Sequence, residues 1–227
     1  VLFSGNEICD ARFSKSCGGV SELFSSCWND EEKSYLQPIR DSACHSLPDL
    51  TNEANAEKWI RSAPESFCNS NDDKVLSQVL NDYDLETKDF YRWKVVYKAT
   101  ELSALVKKNT GIDFGSIKNL VPLRRGASGR IIELLIEGTK KQMIIGKELE
   151  IRRVLSNSHL KSSAFVVDCF DADSEGVPAR IEIVGAGWGH GVGLCQIGAA
   201  VMSSEGYDYR KILFHYFKNS KIKNIYV

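Results

Sequence analysis

The residues best suited to chemistry lie in one glycine-rich stretch, residues 185–200, which reads GAGWGHGVGLCQIGAA. Glycine occupies every second position in its first half. If this segment is extended, its glycines share one face, because successive side chains of a strand alternate sides. The opposite face then presents Trp188 and His190, with Cys195 and Gln196 close behind. A bare backbone face admits a ligand or another strand, so the stretch is predicted to form part of a site.

Each of these side chains has a binding interpretation and a structural one. Trp188 offers a plane for stacking a sugar ring, and equally suits a core. His190 suits the positioning of a ligand or a structural hydrogen bond, and the Gln196 amide both donates and accepts. A nucleophilic thiol at Cys195 would need a base, and the spacing does not place His190 beside it.

Phosphate binding is disfavoured for this stretch. A dinucleotide fingerprint needs glycines at spacings of zero, two and five, to make a tight turn and open a helix. A strict period of two places no glycine at the fifth step, and no lysine stands where a P-loop requires one.

The same stretch and its continuation resemble a known family. GWGHGVG at 187–193, Gln196, Gly-Ala at 198–199 and HYF at 215–217 are similar in order and spacing to the C-terminal signature of the SpoIID family. This is the stage II sporulation protein D, or amidase-enhancer, group of cell-wall proteins. Three further segments agree with the family: ARFSKSCGG (11–19), RGASGRI (125–131) and LKSSAF (160–165).

The resemblance implies that the ligand is a peptidoglycan glycan strand and that the protein is a lytic transglycosylase. Such enzymes need one carboxylic acid, which protonates the leaving oxygen before a hydroxyl of the same sugar closes an anhydro ring. The family's glutamate and its His/Cys metal-binding segment are both expected upstream of Val1, so the catalytic residue is unknown here. Asp10 and Glu22 are weaker candidates for a substitute acid.

The resemblance also implies two walls of a groove formed by glycine-rich segments. The double glycine after SKSC is otherwise a plain turn signal. The predicted glycan-binding residues are Ser16, Cys17, Gly18, Gly19, Trp188, Gly189, His190, Gly191 and Gln196. Cys17 could face Cys195 as a disulfide or lie buried.

Two other functions remain open beside the enzyme. One is a non-catalytic peptidoglycan-binding module that stimulates or recruits a cell-wall amidase, which would then be a second partner. The other is a structural component of an envelope assembly, with a groove filled by its own side chains. All three imply an extracytoplasmic location, in the periplasm or cell envelope of a bacterium.

Composition limits these choices further. The chain has 227 residues, a mass of 25.4 kDa and a formal net charge of -1. A net charge close to zero disfavours a nucleic-acid partner, which a basic protein would attract. No segment approaches the roughly 20 consecutive apolar residues that are needed to cross a bilayer. A first residue of Val1 and the lack of a signal peptide predict a mature or excised fragment.

The seven cysteines are widely spaced, and none forms a CxxC pair. The spacing therefore predicts no metal site, and the chain as a whole predicts no cofactor. Wide spacing fits buried thiols or one to three disulfides, and the cell-wall resemblance favours disulfides.

Many strands with single helices between them predict an α+β fold of mostly antiparallel strands and short helices. One domain is expected over 1–227, with about 45–110 as a variable insertion or subdomain. Helices are predicted at 52–62 with Thr51 as cap, at 100–109 ending at Gly111, and at the C-terminus with Asp208 as cap.

Overall fold

The computed structural model describes residues 1–80 and 89–225, and its chain divides into two units. The first comprises Val1–Pro48, Ala63–Tyr91 and Gly187–Val227, and the second comprises Asp49–Ser62 and Arg92–Ala186. The second unit is thus inserted in the sequence of the first. This division differs from the expected insertion at 45–110, since Ala63–Tyr91 belongs to the first unit.

Short helices and mostly antiparallel strands alternate along the chain, which confirms the predicted α+β class. In chain order the described elements are β1 (Leu2–Ser4), β2 (Glu7–Ile8), β3 (Phe13–Ser14), a 3-10 turn (Phe24–Ser26), α1 (Glu53–Arg61), α2 (Asp73–Val79), β4 (Arg92–Lys98), α3 (Ala99–Thr110), β5 (Ile117–Arg125), β6 (Ile131–Gly138), β7 (Gln142–Ile145), α4 (Glu148–Val154), β8 (Phe165–Ala172), β9 (Pro178–Ala186), β10 (Leu194–Cys195), α5 (Gln196–Ser204), α6 (Tyr209–Tyr216) and β11 (Lys221–Ile222). None of the described helices is long and apolar enough to cross a bilayer.

The second unit contains two antiparallel sheets, with strand orders β4-β9-β8 and β5-β6-β7. The alternation in β4 buries Trp93 at 3 % exposure while its neighbour Lys94 is exposed, as a half-buried strand requires. An apolar core that includes Leu102, Ile136 and Ile183 fills this unit.

Helix ends in the second unit follow local capping rules. The side chain of Asn52 accepts a hydrogen bond from the Asn55 N–H at 3.2 Å, so the cap of α1 is Asn52 and the predicted cap Thr51 is wrong by one residue. Gly111 ends α3 with a left-handed φ of 73°, which confirms the predicted stop.

The first unit is held together by pairings between its ends. Strand β1 lies between β11 and β2, and β3 pairs in parallel with β10. Helices α2, α5 and α6 also belong to it, and the side chain of Asp208 caps α6 as predicted, at 2.9 Å from the N–H groups of Arg210 and Lys211.

The seven cysteines are all thiols in the structure, so the expected disulfides are not formed. Five of them lie in the apolar core of the first unit. They are Cys9, Cys17, Cys27, Cys68 and Cys195. Burial beside apolar side chains is a common environment for a thiol, which behaves there as a small hydrophobic group.

We expect the Asn109→Ala substitution to destabilise the second unit by about 1–2 kcal/mol, because it leaves partly buried carbonyl groups without a donor. The Asn109 amide donates to the carbonyl oxygens of Arg153, Val154 and Ser156 at 3.0, 3.1 and 2.9 Å. Urea denaturation followed by circular dichroism measures the change. Asn157→Ala, at an exposed asparagine, is the control, and equal stability of the two variants would contradict the expectation.

Candidate functional site

The glycine-rich stretch leaves its sheet at Ala186, where β9 ends. Gly187, Gly189, Gly191 and Gly193 have positive φ angles between 73° and 102°. Glycine adopts this left-handed conformation at low cost, and it turns the backbone out of the extended form. The predicted strand with one bare glycine face is therefore wrong beyond Ala186. The period of two reflects alternation of backbone conformation.

The space beside these glycines is filled by the N-terminal segment of the same unit. A Cβ atom at Gly187 would lie 2.8 Å from the carbonyl oxygen of Ser16, and one at Gly189 would lie 2.9 Å from the Cβ of Ser14. Ser16 and Trp188 exchange two backbone hydrogen bonds, of 3.1 and 2.8 Å. The close approach that the glycines predict is thus made by residues 14–18.

The loop predicted as the second wall of the groove is buried. Ser16 is 0 % exposed and Cys17 is 2 % exposed, and Gly18 and Gly19 are buried as well. Ser16 and Cys17 are therefore not the exposed polar lining that was expected. The Cys17 N–H donates to the Cys195 Sγ at 3.3 Å, so these two cysteines do meet, through a hydrogen bond.

Trp188 is half-buried and packs against the core of the first unit. Its ring stacks on Phe90 with centroids 5.6 Å apart, and the Lys15 Nζ lies 4.2 Å from its ring centroid. These contacts give the indole a structural role. A sugar would reach the ring face that Lys15 covers only if this long, flexible side chain moved aside.

His190 is half-buried and held by its own turn. Its Nδ1 accepts the backbone N–H of Val192 at 3.0 Å, so the neutral imidazole carries its proton on Nε2. The ring lies edge-on to Trp28, with centroids 4.8 Å apart. Nε2–H is thus a hydrogen-bond donor, and the hydrogen bond at Nδ1 fixes the orientation of the ring that carries it.

Sequence reasoning missed three residues near Trp188 and His190: Trp28 contacts His190, Arg12 contacts Trp28, and Lys15 contacts Trp188. The Arg12 guanidinium lies 4.3 Å from the ring centroid of Trp28, in a cation–π contact, and its Nε donates to Asp10 at 2.8 Å. Trp28 falls in a polar, irregular region whose pattern carried no signal. We call the half-buried side chains of Arg12, Lys15, Trp28, Trp188 and His190 the aromatic–basic cluster.

Of the two candidate acids, Glu22 is buried and Asp10 is paired with a cation. Glu22 is 0 % exposed, and its Oε1 accepts the Leu23 N–H at 2.8 Å and the Ser26 hydroxyl at 3.0 Å. Asp10 is engaged by the Arg12 Nε through both carboxylate oxygens, at 3.0 and 2.8 Å.

Gln196, the first residue of α5, lies half-buried at an open cavity of about 630 Å³ in the first unit. α2 and α5 form its walls, together with Leu194. Gln196 is therefore a predicted site residue that lines a cavity. Gly191, by contrast, is buried.

The profile of one protein family, described as "Domain of unknown function (DUF8618)", matches residues 22–193 of the 227 residues. The chain belongs to the DUF8618 family. Of the aromatic–basic cluster, the DUF8618 match contains Trp28, Trp188 and His190, while Arg12 and Lys15 precede it. No curated protein sequence matches this chain.

The DUF8618 chain also holds a fully buried cluster of Cys17, Asp41, Cys68 and Cys195, whose side chains could together hold a metal ion. Burial raises the pKa of Cys17 and Asp41 well above their ordinary values, and raises that of Cys68 to about 12. Burial acts in the same direction on Cys195, but hydrogen bonds from the Cys17 and Cys68 thiols outweigh it and lower its pKa to about 6.

A thiolate is the reactive form of cysteine, but reaction also needs access. Cys195 is 0 % exposed, and its Sγ contacts Cys17. The rival interpretation of Cys195 as a nucleophile is therefore not supported by its surroundings.

We expect Gly187→Ala to destabilise the protein by about 2 kcal/mol or more, since left-handed backbone costs other residues about 1–2 kcal/mol and the new methyl group also meets the Ser16 carbonyl. Gly206→Ala is the matched control, because Gly206 has a φ of 87° and open space around its Cβ position. The difference in Tm between the two variants measures the close contact alone. Equal Tm values would show that the contact is absent.

Proposed function

We propose that this DUF8618 chain binds the glycan strands of bacterial peptidoglycan, as part of a SpoIID-type lytic transglycosylase located outside the cytoplasm. The observation that carries the proposal is the aromatic–basic cluster, most of which lies on the two SpoIID-like segments 11–19 and 187–193.

The chemistry of the cluster suits a glycan strand. Such a strand presents apolar sugar faces, acetamido groups and the carboxylates of its lactyl and peptide substituents. Arg12 and Lys15 supply cations for the carboxylates, and His190 Nε2–H and the Gln196 amide supply donors for carbonyl and hydroxyl oxygens. Trp28 supplies an aromatic surface once the Arg12 guanidinium turns toward an anionic ligand.

The proposed cleavage needs one carboxylic acid beside the scissile bond. Glu22 is buried and Asp10 is paired with Arg12, so the proposal assigns this role to neither. It places the acid on a helix that precedes Val1 in the intact protein, as the family resemblance implies.

The burial of Glu22 and the pairing of Asp10 with Arg12 favour a second candidate function. A domain that binds glycan strands but contributes no catalytic acid would act as a recruiting module that stimulates a cell-wall amidase. The two candidates share the binding surface and differ only in whether the intact protein cleaves the strand.

The binding surface is tested by the double variant Arg12→Gln, Lys15→Gln. We expect its affinity for purified, soluble glycan strands to fall about tenfold or more, because hydrogen bonds from charged groups contribute about 1.5–3 kcal/mol each. Isothermal titration calorimetry at fixed ionic strength measures the change. Arg210→Gln, Lys211→Gln on exposed positions of α6 is the control, since it removes the same charge elsewhere. Equal affinities of the two double variants would refute a specific surface at Arg12 and Lys15.

Cleavage is tested by mass spectrometry of glycan strands after incubation with this chain and with the protein extended upstream of Val1. We expect anhydro-sugar ends from the extended protein alone. Such ends from the shorter chain would place the acid within it, and Asp10 and Glu22 would then be replaced in turn. Binding without cleavage by either protein would select the recruiting module.

A further inference from the structure

Four potential ligands for a metal ion meet in the interior of the first unit. They are the Sγ atoms of Cys17, Cys68 and Cys195 and a carboxylate oxygen of Asp41, and all lie within 4.8 Å of one another. Their residues are 2 %, 1 %, 0 % and 0 % exposed, in the order Cys17, Cys68, Cys195 and Asp41. Polar groups buried so completely are costly unless strong partners compensate for the lost water.

The spacing of the sulfur atoms fits a metal site. The Cys17 Sγ and Cys68 Sγ lie 3.7 Å apart, far beyond the roughly 2.05 Å of a disulfide bond. Two thiolates on a tetrahedral zinc ion, with Zn–S distances of about 2.3 Å, lie about 3.8 Å apart. The longest separation of 4.8 Å would close by about 1 Å around such an ion.

The Asp41 carboxylate is oriented by groups outside the cluster. The Tyr216 hydroxyl donates to Oδ1 at 2.7 Å, and the Cys68 N–H donates to Oδ2 at 3.0 Å. A Cβ atom at Gly198 would lie 2.6 and 2.8 Å from the two carboxylate oxygens, so the absence of a side chain there makes room for them. Such second contacts commonly orient the ligands of a metal.

No lysine or arginine of the described residues forms an ion pair with Asp41. Its nearest basic group is the His215 Nε2, at 4.0 Å. A buried carboxylate without a lysine or arginine partner, beside three thiols, is an arrangement that a divalent ion would compensate directly.

Backbone groups on both sides hold the Cys195 sulfur in place. The Cys17 N–H donates to the Cys195 Sγ at 3.3 Å, and this Sγ lies 3.8 Å from the Lys15 carbonyl oxygen. The contact with the Cys17 N–H is suited to a metal-bound sulfur, which accepts hydrogen bonds.

From this geometry we propose that Cys17, Asp41, Cys68 and Cys195 bind one zinc ion in a closed, structural site. On binding, each thiol that is still protonated releases its proton to solvent, so the ion replaces protons and no redox change occurs. Three sulfur ligands favour zinc over magnesium or calcium, and four protein ligands leave no open position for catalysis.

The sequence could not indicate this site, because a zinc site is recognised in a sequence by closely spaced ligand pairs such as CxxC. Here each ligand comes from a different segment, and only the fold of the first unit unites them. The ion would tie the loop at Cys17 to the start of α5, and thereby fix the segments that carry Lys15 and Gln196. The zinc proposal stands independently of the proposed glycan binding.

The test is the metal content of the full chain, expressed in zinc-supplemented medium, purified without chelator and measured by inductively coupled plasma mass spectrometry. We expect about one zinc ion per chain, and a loss to near zero in Cys68→Ser and Cys195→Ser. Cys9→Ser, at a buried cysteine outside the cluster, and Cys44→Ser, at an exposed one, are the controls and should retain the ion. Removal of zinc by a chelator should lower Tm by about 10 °C.

Cobalt substitution keeps the proposal testable if the serine variants fail to fold. The unmodified chain loaded with Co²⁺ should show sulfur-to-cobalt charge-transfer absorption and the visible bands of a tetrahedral site. A chain that holds no zinc and gives no such spectrum would overturn the proposal. So would a native disulfide between Cys17 and Cys68, found by mass spectrometry of the unreduced protein.

Discussion

The backbone pairing of Ser16 with Trp188 is the contact on which the first unit depends. Two hydrogen bonds join these residues, and neighbouring bonds extend the pairing, from the Ile197 N–H to the Lys15 carbonyl and from the Glu22 N–H to the Gly191 carbonyl. Backbone groups buried this way need partners, and here each segment satisfies the other. The same pairing brings Cys17 against Cys195, so both the aromatic–basic cluster and the thiol cluster follow from it.

Sequence reasoning succeeded where the cause is local. Asp208 caps a helix because its short side chain reaches the N–H groups of the first turn, and Gly111 ends one because glycine tolerates a left-handed φ. The alternation of apolar and charged residues around Trp93 is another such local signal, since the apolar side of a half-buried strand faces a core. Each of these signals lies within a few residues of the feature it predicts.

The predictions that failed concern residues whose structure depends on contacts with segments distant in the sequence. The glycines at 187–193 were correctly expected to admit a close neighbour, but their left-handed backbone depends on the segment that packs there. Trp28 joined the site through contacts with Arg12 and His190, which no spacing within the sequence reveals. The burial of Ser16 and Cys17 has the same origin, because a glycine-containing turn can lie at the surface or inside. Which side chains are buried and which meet one another thus depends on contacts between distant segments.

The chain order of these pairings has a consequence for biosynthesis. The first unit pairs Phe13 with Leu194 and Leu2 with Ile222, so it closes very long loops. Closure of such loops costs chain entropy before any contact compensates for it, which makes long-range pairing slow. The second unit contains adjacent antiparallel pairs, β5 with β6 and β8 with β9, and all its residues leave the ribosome before Leu194. The unit that holds the N-terminal residues is therefore the last to be completed, and its cysteines remain exposed to their surroundings throughout that interval.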